Sequence, residues 1–317
     1  MTDIKKVASF LREKDNFLIV CHQNPDGDTI GSAFALKSIL KGMGKRATVV
    51  CQDEFPEKYG YMTDVQNDEA LSYDSIITVD VADRKLLGKD YEDLKIDLSI
   101  DHHISNTGYA EINFLIYAAA NTENILSLAE ELGAPLDKYT ADCIYTGITT
   151  DTGCFRYASV TEGTHDAARK AIKAGADHAK INRIMFETKS LARIKAEHLV
   201  IKSLETHFAD RCALMVLTQE MLTQTGARED ELEGTASLPR EIEGVLVGAL
   251  FREKPDGSFK VSVRTNEPVD ASVLCSSFGG GGHKAAAACV FNCSLDEAKQ
   301  QFLEEVGKIF NGRDLNS

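Results

Sequence analysis

The chain has 317 residues, 43% of them hydrophobic, and a formal net charge of −14. That length points to two domains with a sizeable core, and the acidity argues against sequence-independent binding of long DNA, which needs many Lys and Arg against phosphates. No apolar run nears the roughly 18 residues of a membrane span, and Met1-Thr2-Asp3-Ile4-Lys5-Lys6 lacks a signal peptide's apolar stretch, so the expected location is cytoplasmic.

In chain order, Phe17-Leu18-Ile19-Val20-Cys21 predicts a buried strand, and helical spacing follows from Thr29 to Lys41. Ala47 to Cys51, Ser75 to Val79 and Leu98 to Ile100 predict further strands, and helical patterns run over 121–132, 136–148, 161–174 and 179–187. Short apolar strands alternating with helices predict an α/β fold, a mostly parallel sheet with helices on both faces, whose ligand crevice lies beyond the strands' carboxyl ends. His22, Asp80 and Asp101-His102-His103 each follow such a strand, which places them on one rim. A helix over 191–206 is expected to link residues 1–190 to a smaller α/β domain over 207–317. There, 212–217, 245–251 and 259–263 predict strands, Pro255-Asp256-Gly257 a hairpin turn, and 294–310 a helix with Ser294 and Glu297 as a capping box. The eight cysteines include no Cys-x-x-Cys pair and read as reduced core thiols.

The chemistry-bearing groups gather at strand ends. His22, Asp26 and Asp28 flank a turn made tight by Gly27. Imidazole with carboxylate suits a borderline divalent ion such as Mn²⁺; the competing reading is that one aspartate only caps the next helix. Asp80 abuts its strand and could bridge two metals, with Asp83 as a near neighbour. Of His102 and His103, one ring could ligate a metal while the other donates to a phosphoryl oxygen. Asp151 stands in Thr149-Thr150-Asp151-Thr152-Gly153, where alone it would be a turn residue. Near the C-terminus, Gly279-Gly280-Gly281-Gly282-His283 offers backbone N–H groups to an anion, without the Lys-Ser/Thr of a Walker loop, and Arg264 offers a forked phosphate contact.

Taken together, His22…Asp26-x-Asp28, Asp80, Asp101-His102-His103 and Asp151 resemble the four motifs of the DHH phosphoesterases, and Gly279–His283 with the alanines after it resembles the associated DHHA1 domain. The two-domain length is similar to the family's NrnA-type members, which act as oligoribonucleases on very short RNA and as phosphatases on 3′-phosphoadenosine 5′-phosphate (pAp). The resemblance implies two Mn²⁺-type ions, one held by His22, Asp26 and Asp80, the other by Asp28, Asp80, His102 and Asp151. It implies that His103 contacts the scissile phosphate, with Asp101 orienting. It also implies that Arg264, Gly280, Gly281, Gly282 and His283 bind the rest of the nucleotide. Two such ions can activate a water and neutralise the phosphoryl charge. The expected substrates are short RNA or small nucleotides, with no membrane and no long duplex DNA as partner; a homodimer is left open. Alternatives are a linear or cyclic dinucleotide phosphodiesterase and a nucleotide-binding regulator without turnover. A RecJ-like nuclease and an inorganic pyrophosphatase fit less well, by size and acidity and by the Gly-Gly-Gly-His signature. One departure stands out: the family usually has Gly after the paired alanines, and here Ala288 follows Ala287.

Overall fold

The computed structural model of the chain describes residues 3–64, 73–232 and 234–312. It divides into two compact units, Met1–Thr188 and Lys189–Ser317.

The first unit runs α1 (Ile4–Glu13), β1 (Phe17–Val20), α2 (Gly27–Gly42), β2 (Ala47–Val50), the single turn α3 (Gly60–Thr63), β3 (Ser75–Val79), β4 (Leu98–Asp101) and β5 (Ile112–Leu115). Then come α4 (Asn121–Leu132), α5 (Lys138–Asp151), α6 (Glu162–Lys173) and α7 (His178–Asn182). The five strands form a parallel sheet in the order β2-β1-β3-β4-β5, with Phe17 opposite Ala47 and Ser75, and Leu98 opposite Ile77 and Ile112. Because side chains alternate along a strand, Phe17, Ile19, Ile77, Val79, Leu98 and Ile100 enter one core with Leu36 of α2, Ile125 of α4 and Ile144 of α5. Leu18 and Val20 turn the other way, onto Val81, Leu87 and Ile96. Strand–helix alternation predicts a second helical layer there. The cover is instead the β3–β4 connection, whose one short helical turn (Arg84–Leu87) ends at Gly88, φ +83°. β5 is a half-buried edge of four residues, too short for its pattern to stand out in the sequence.

The second unit runs α8 (Leu191–Lys202), β6 (Glu205–His207), β7 (Cys212–Leu217), α9 (Gln219–Thr225), β8 (Val247–Glu253) and β9 (Phe259–Thr265). It ends with α10 (Ala271–Ser276), β10 (Gly281–His283), β11 (Ala286–Phe291) and α11 (Leu295–Gly312). Its sheet has the order β10-β11-β9-β8-β7-β6, and among the described residues only β7 and β8 pair in parallel. β8 and β9 form the hairpin expected at Pro255-Asp256-Gly257, closed by Lys254 N–H on the Ser258 carbonyl at 2.8 Å. The Ser294–Glu297 capping box starts α11, with Ser294 N–H donating to Glu297 Oε2 at 3.0 Å. The helix expected to reach residue 206 stops at Lys202. There the Ser203 hydroxyl accepts from Val216 N–H at 2.8 Å, and the chain turns to pair 205–207 with β7. Ala196 and Val200 of α8 are buried against Met215, Leu217 and Leu250 of the same unit.

Candidate metal centre

All strands of the first sheet point one way, so their carboxyl ends deliver His22, Asp80 and Asp101-His102-His103 to one rim. Asp80 closes β3 in the left-handed region, at φ +59°, a conformation that costs a non-glycine residue energy and concentrates at functional sites. Its carboxylate is split. Oδ2 lies 3.9 Å from His22 Nε2, and Oδ1 lies 3.2 Å from His102 Nε2. Asp83 is not in the cluster: its carboxylate caps the turn after β3, accepting from Lys85 N–H at 2.9 Å.

On the first side, His22 Nε2 stands 3.8 Å from Asp26 Oδ1. Asp26 also caps α2, accepting from the N–H groups of Asp28 and Thr29 at 3.0 Å each, so the capping and ligating readings of this residue are compatible. On the second side, His102 Nε2 meets Asp80 Oδ1, Asp151 Oδ2 at 3.7 Å and Asp28 Oδ2 at 3.9 Å. Three sets of side chains thus bring ligand atoms within 4.8 Å of one another: His22–Asp26–Asp80, Asp28–His102–Asp151 and Asp80–His102–His103.

The surroundings fix which atoms face inward. His22 Nδ1 lies 2.8 Å from the Gln23 carbonyl and His102 Nδ1 lies 2.9 Å from the Ala118 carbonyl. A carbonyl only accepts, so each Nδ1 carries a hydrogen and each Nε2 is the ring atom turned to the carboxylates, where it holds a proton in the metal-free protein or offers its lone pair to a cation. His103 differs: its Nδ1 donates to Asp101 Oδ1 at 2.8 Å, and Asn106 Nδ2 holds the other Asp101 oxygen at 2.6 Å. Asp101 therefore orients His103, not His102. Asp28 is 1% exposed and stands over the start of α4, whose N-cap residue Ala120 makes no side-chain cap. Its carboxylate accepts from the N–H of Asn121, from Thr122 N–H at 3.0 Å and from the Thr122 hydroxyl at 2.9 Å. Gly147 of α5 makes room for this, since a Cβ there would collide with the Asp28 and Thr122 side chains.

Crowded anions in a buried place repel. Burial, then Asp28, pushes Asp80 well above the carboxylate range, and burial, Asp28 and Asp26 lift Asp151 to about 8. Burial opposes charge on both histidines, but Asp26 lifts His22 to about 9, and Asp80 and Asp28 lift His102 to about 10. Asp151 also ends α5, where the helix dipole disfavours an acid. Buried Asp80 Oδ1 accepts no well-formed hydrogen bond. An unsatisfied carboxylate oxygen among converging carboxylate and imidazole ligand atoms is a donor set that divalent cations fit. Sequence reasoning missed Asn106, Ala118, Asn121, Thr122 and Gly147, because their parts are played through backbone groups or across the fold.

In the second unit the glycine run departs from the open anion cradle expected of it. Gly279 and Gly280 return their N–H groups to the Ser276 and Cys275 carbonyls, and Gly281–His283 is an edge strand. Gly282 has φ +148°, and a Cβ there would meet Ala287. In register, His283 opposes Ala286, which opposes Arg264. Residues opposite across strands share a face, so Arg264 and His283 flank the small Ala286. Ala288 is an ordinary strand residue on that face, opposite Gly281 and Ser262.

A parallel sheet with such a rim, followed by this mixed sheet, defines a class. The pattern of the DHH family, N-terminal domain, matches residues 16–148, and that of the DHHA1 domain matches residues 213–312. The chain belongs to the DHH–DHHA1 family of phosphoesterases. It is 30% identical to the bifunctional oligoribonuclease and PAP phosphatase NrnA of Thermus thermophilus, over 96% of this chain and 93% of that protein. It is 26% identical to a probable bifunctional oligoribonuclease and PAP phosphatase NrnA of Streptococcus mutans, over 97% of this chain and 100% of that one. An exopolyphosphatase-related protein from Bacteroides fragilis superposes with a TM-score of 0.87 at 25% identity, covering 96% of this chain and 95% of that one.

Proposed function

We propose that the chain hydrolyses short oligoribonucleotides to mononucleotides and pAp to AMP, with divalent ions held at the rim of the first unit. The observation that carries this is the split Asp80 carboxylate, one oxygen toward His22 and the other toward His102. It supports His22, Asp26 and Asp80 as holders of one ion and Asp28, Asp80, His102 and Asp151 as holders of a second, with Mn²⁺ suited to the mixed oxygen and nitrogen donors. The names of the Thermus and Streptococcus relatives support the substrate class.

When bound, such ions supply an activated water and neutralise phosphoryl charge. The chain's own residues do the rest. His103, 42% exposed and held through Nδ1 by Asp101, presents Nε2 to a phosphoryl oxygen. Arg264, His283 and the shape set by Gly280, Gly281 and Gly282 serve nucleotide binding. The acidic surface favours short substrates over long duplex DNA.

The test is incubation with Mn²⁺ and a panel of pAp, an RNA dinucleotide, an RNA pentamer, a cyclic dinucleotide and pyrophosphate. Turnover of pAp and the short RNAs is expected. Turnover of the cyclic dinucleotide alone would replace this reading with the dinucleotide phosphodiesterase, and turnover of nothing would leave a nucleotide-binding regulator.

A further inference from the structure

Beside the rim, wholly within the first unit, lies a cavity of about 360 Å³, within the size range of ligand pockets. One wall is the segment between β5 and α4, including Ile116, Tyr117 and Ala118. That same segment is tied to the rim: Ala118 accepts from His102, and Asn124 Nδ2 bridges the Ile116 and Asp101 carbonyls at 3.1 and 3.2 Å. The facing wall is Ser159 and Thr161, on the loop that leaves Asp151. The cavity is thus bracketed by segments that position or follow two rim residues.

Its lining has a definite chemistry. Tyr117 is 58% exposed and Ile116 38%, an apolar pair left open to solvent. Glu123 lies behind them, its Oε1 accepting from Ala119 N–H at 3.2 Å, with Ser127 one helical turn on. Among the described residues no Lys or Arg lines the cavity, and Glu123 would repel a phosphate. What fits is a flat, uncharged group with a hydrogen-bonding edge. Exposed aromatic rings beside a phosphate-handling centre are the platforms on which single-stranded bases stack.

We propose that this cavity takes the nucleobase of the nucleotide whose phosphate is handled at the rim, stacked on Tyr117 with its polar edge toward Glu123 and Ser127. The proposal rests on the reading that the substrate is a nucleotide ester, and it makes Tyr117 a specificity-determining residue.

The test compares pAp with an abasic analogue carrying the same two phosphates on ribose. Tyr117→Ala is expected to raise KM for pAp about tenfold, within the range for loss of one stacked base, so that the preference for pAp over the abasic analogue shrinks by the same factor. Tyr117→Phe should keep the preference. Ser127→Leu, which fills the cavity from α4, should shrink it as Tyr117→Ala does. An undiminished preference in both Tyr117→Ala and Ser127→Leu would overturn the proposal. Titration with a 2-aminopurine mononucleotide separates this failure from failure of the functional reading, because it needs no turnover. Fluorescence quenched by the wild type and not by Tyr117→Ala supports stacking; equal quenching by the two overturns it, whatever the enzyme hydrolyses.

Discussion

At the rim of the first unit, four carboxylates and two imidazoles share one place; Asp28 and Asp80 are buried, and His22, Asp26, Asp28 and His102 are pinned by backbone N–H or C=O groups. At the β10 edge of the second unit, side chains have been removed instead. Gly280 and Gly282 lie against β11 where a Cβ would collide, and small alanines leave Arg264 and His283 standing apart. The first region concentrates charge that only a cation or a proton can relieve. The second shapes a strand edge by what it lacks. A substitution in the first should therefore act on the chemical step and on proton and metal binding, and one in the second on substrate affinity and local packing.

The largest break is Asp80→Ala. It removes the carboxylate facing both His22 and His102, and the expected loss in kcat/KM is about 10³-fold or more, the scale of losing an essential catalytic group. Near wild-type turnover in added Mn²⁺ would sink the assignment of this centre. Next comes His103→Gln, expected to lower kcat about 10²-fold as a lost donor to developing phosphoryl charge. Asp101→Asn should cost less, since it disturbs the orientation of His103 without removing the ring. An Asp101→Asn variant whose loss adds in full to that of His103→Gln in the double variant would mean that Asp101 acts on something other than His103.

Across the divide, Gly282→Ala is expected to raise KM for pAp about tenfold with kcat held within about threefold, because φ +148° and the Ala287 contact leave no room for a Cβ. A fall in kcat at constant KM would instead draw the glycine edge into the chemistry.

The two regions were not equally legible in the sequence. Strand-end residues His22, Asp80, Asp101 and His102 announce themselves, because an apolar run followed by a titratable residue locates the carboxyl end of a parallel strand; Asp151, at the end of α5, does not share that signal. The partners of those residues do not. Asp28 as a cap for α4 joins positions far apart in the chain, and Gly147 matters only because α5 lies against α2. The glycine run was legible as unusual but not as a strand, since its pairing with β11 depends on register rather than on pattern. Likewise Ser203 looks helical until its bond to Val216 is known.

A smaller effect sharpens the rim. His22 and His102 are lifted from 6.5 to about 9 and about 10, and Asp151 from 3.8 to about 8. All three bind protons more tightly folded than unfolded, so their stabilising contribution is full below the unfolded values and lost as pH rises through the folded ones. Metal-free protein should therefore lose several degrees of Tm between about pH 7 and about pH 10, while Mn²⁺, which replaces those protons, should stabilise it more as pH rises. Melting curves with chelator and with Mn²⁺ check this. A metal-free Tm that climbs across that window would contradict the proposed crowding of charge.

The smallest expected effect belongs to Ala288. The departure from the family's usual glycine leaves the backbone regular, because Ala288 pairs with Gly281 and Ser262 as an ordinary strand residue. Its methyl lies on the face of Arg264 and His283 but two residues along the strand from the row they share with Ala286, roughly 7 Å away at strand rise. Ala288→Gly should thus cost about 0.5–1 kcal/mol through backbone freedom, a few degrees of Tm at most, and leave KM for pAp within about twofold. A KM change of about fivefold or more would place that methyl against the substrate, and would make the second unit, like the first, a region where a single side chain decides the reaction partner.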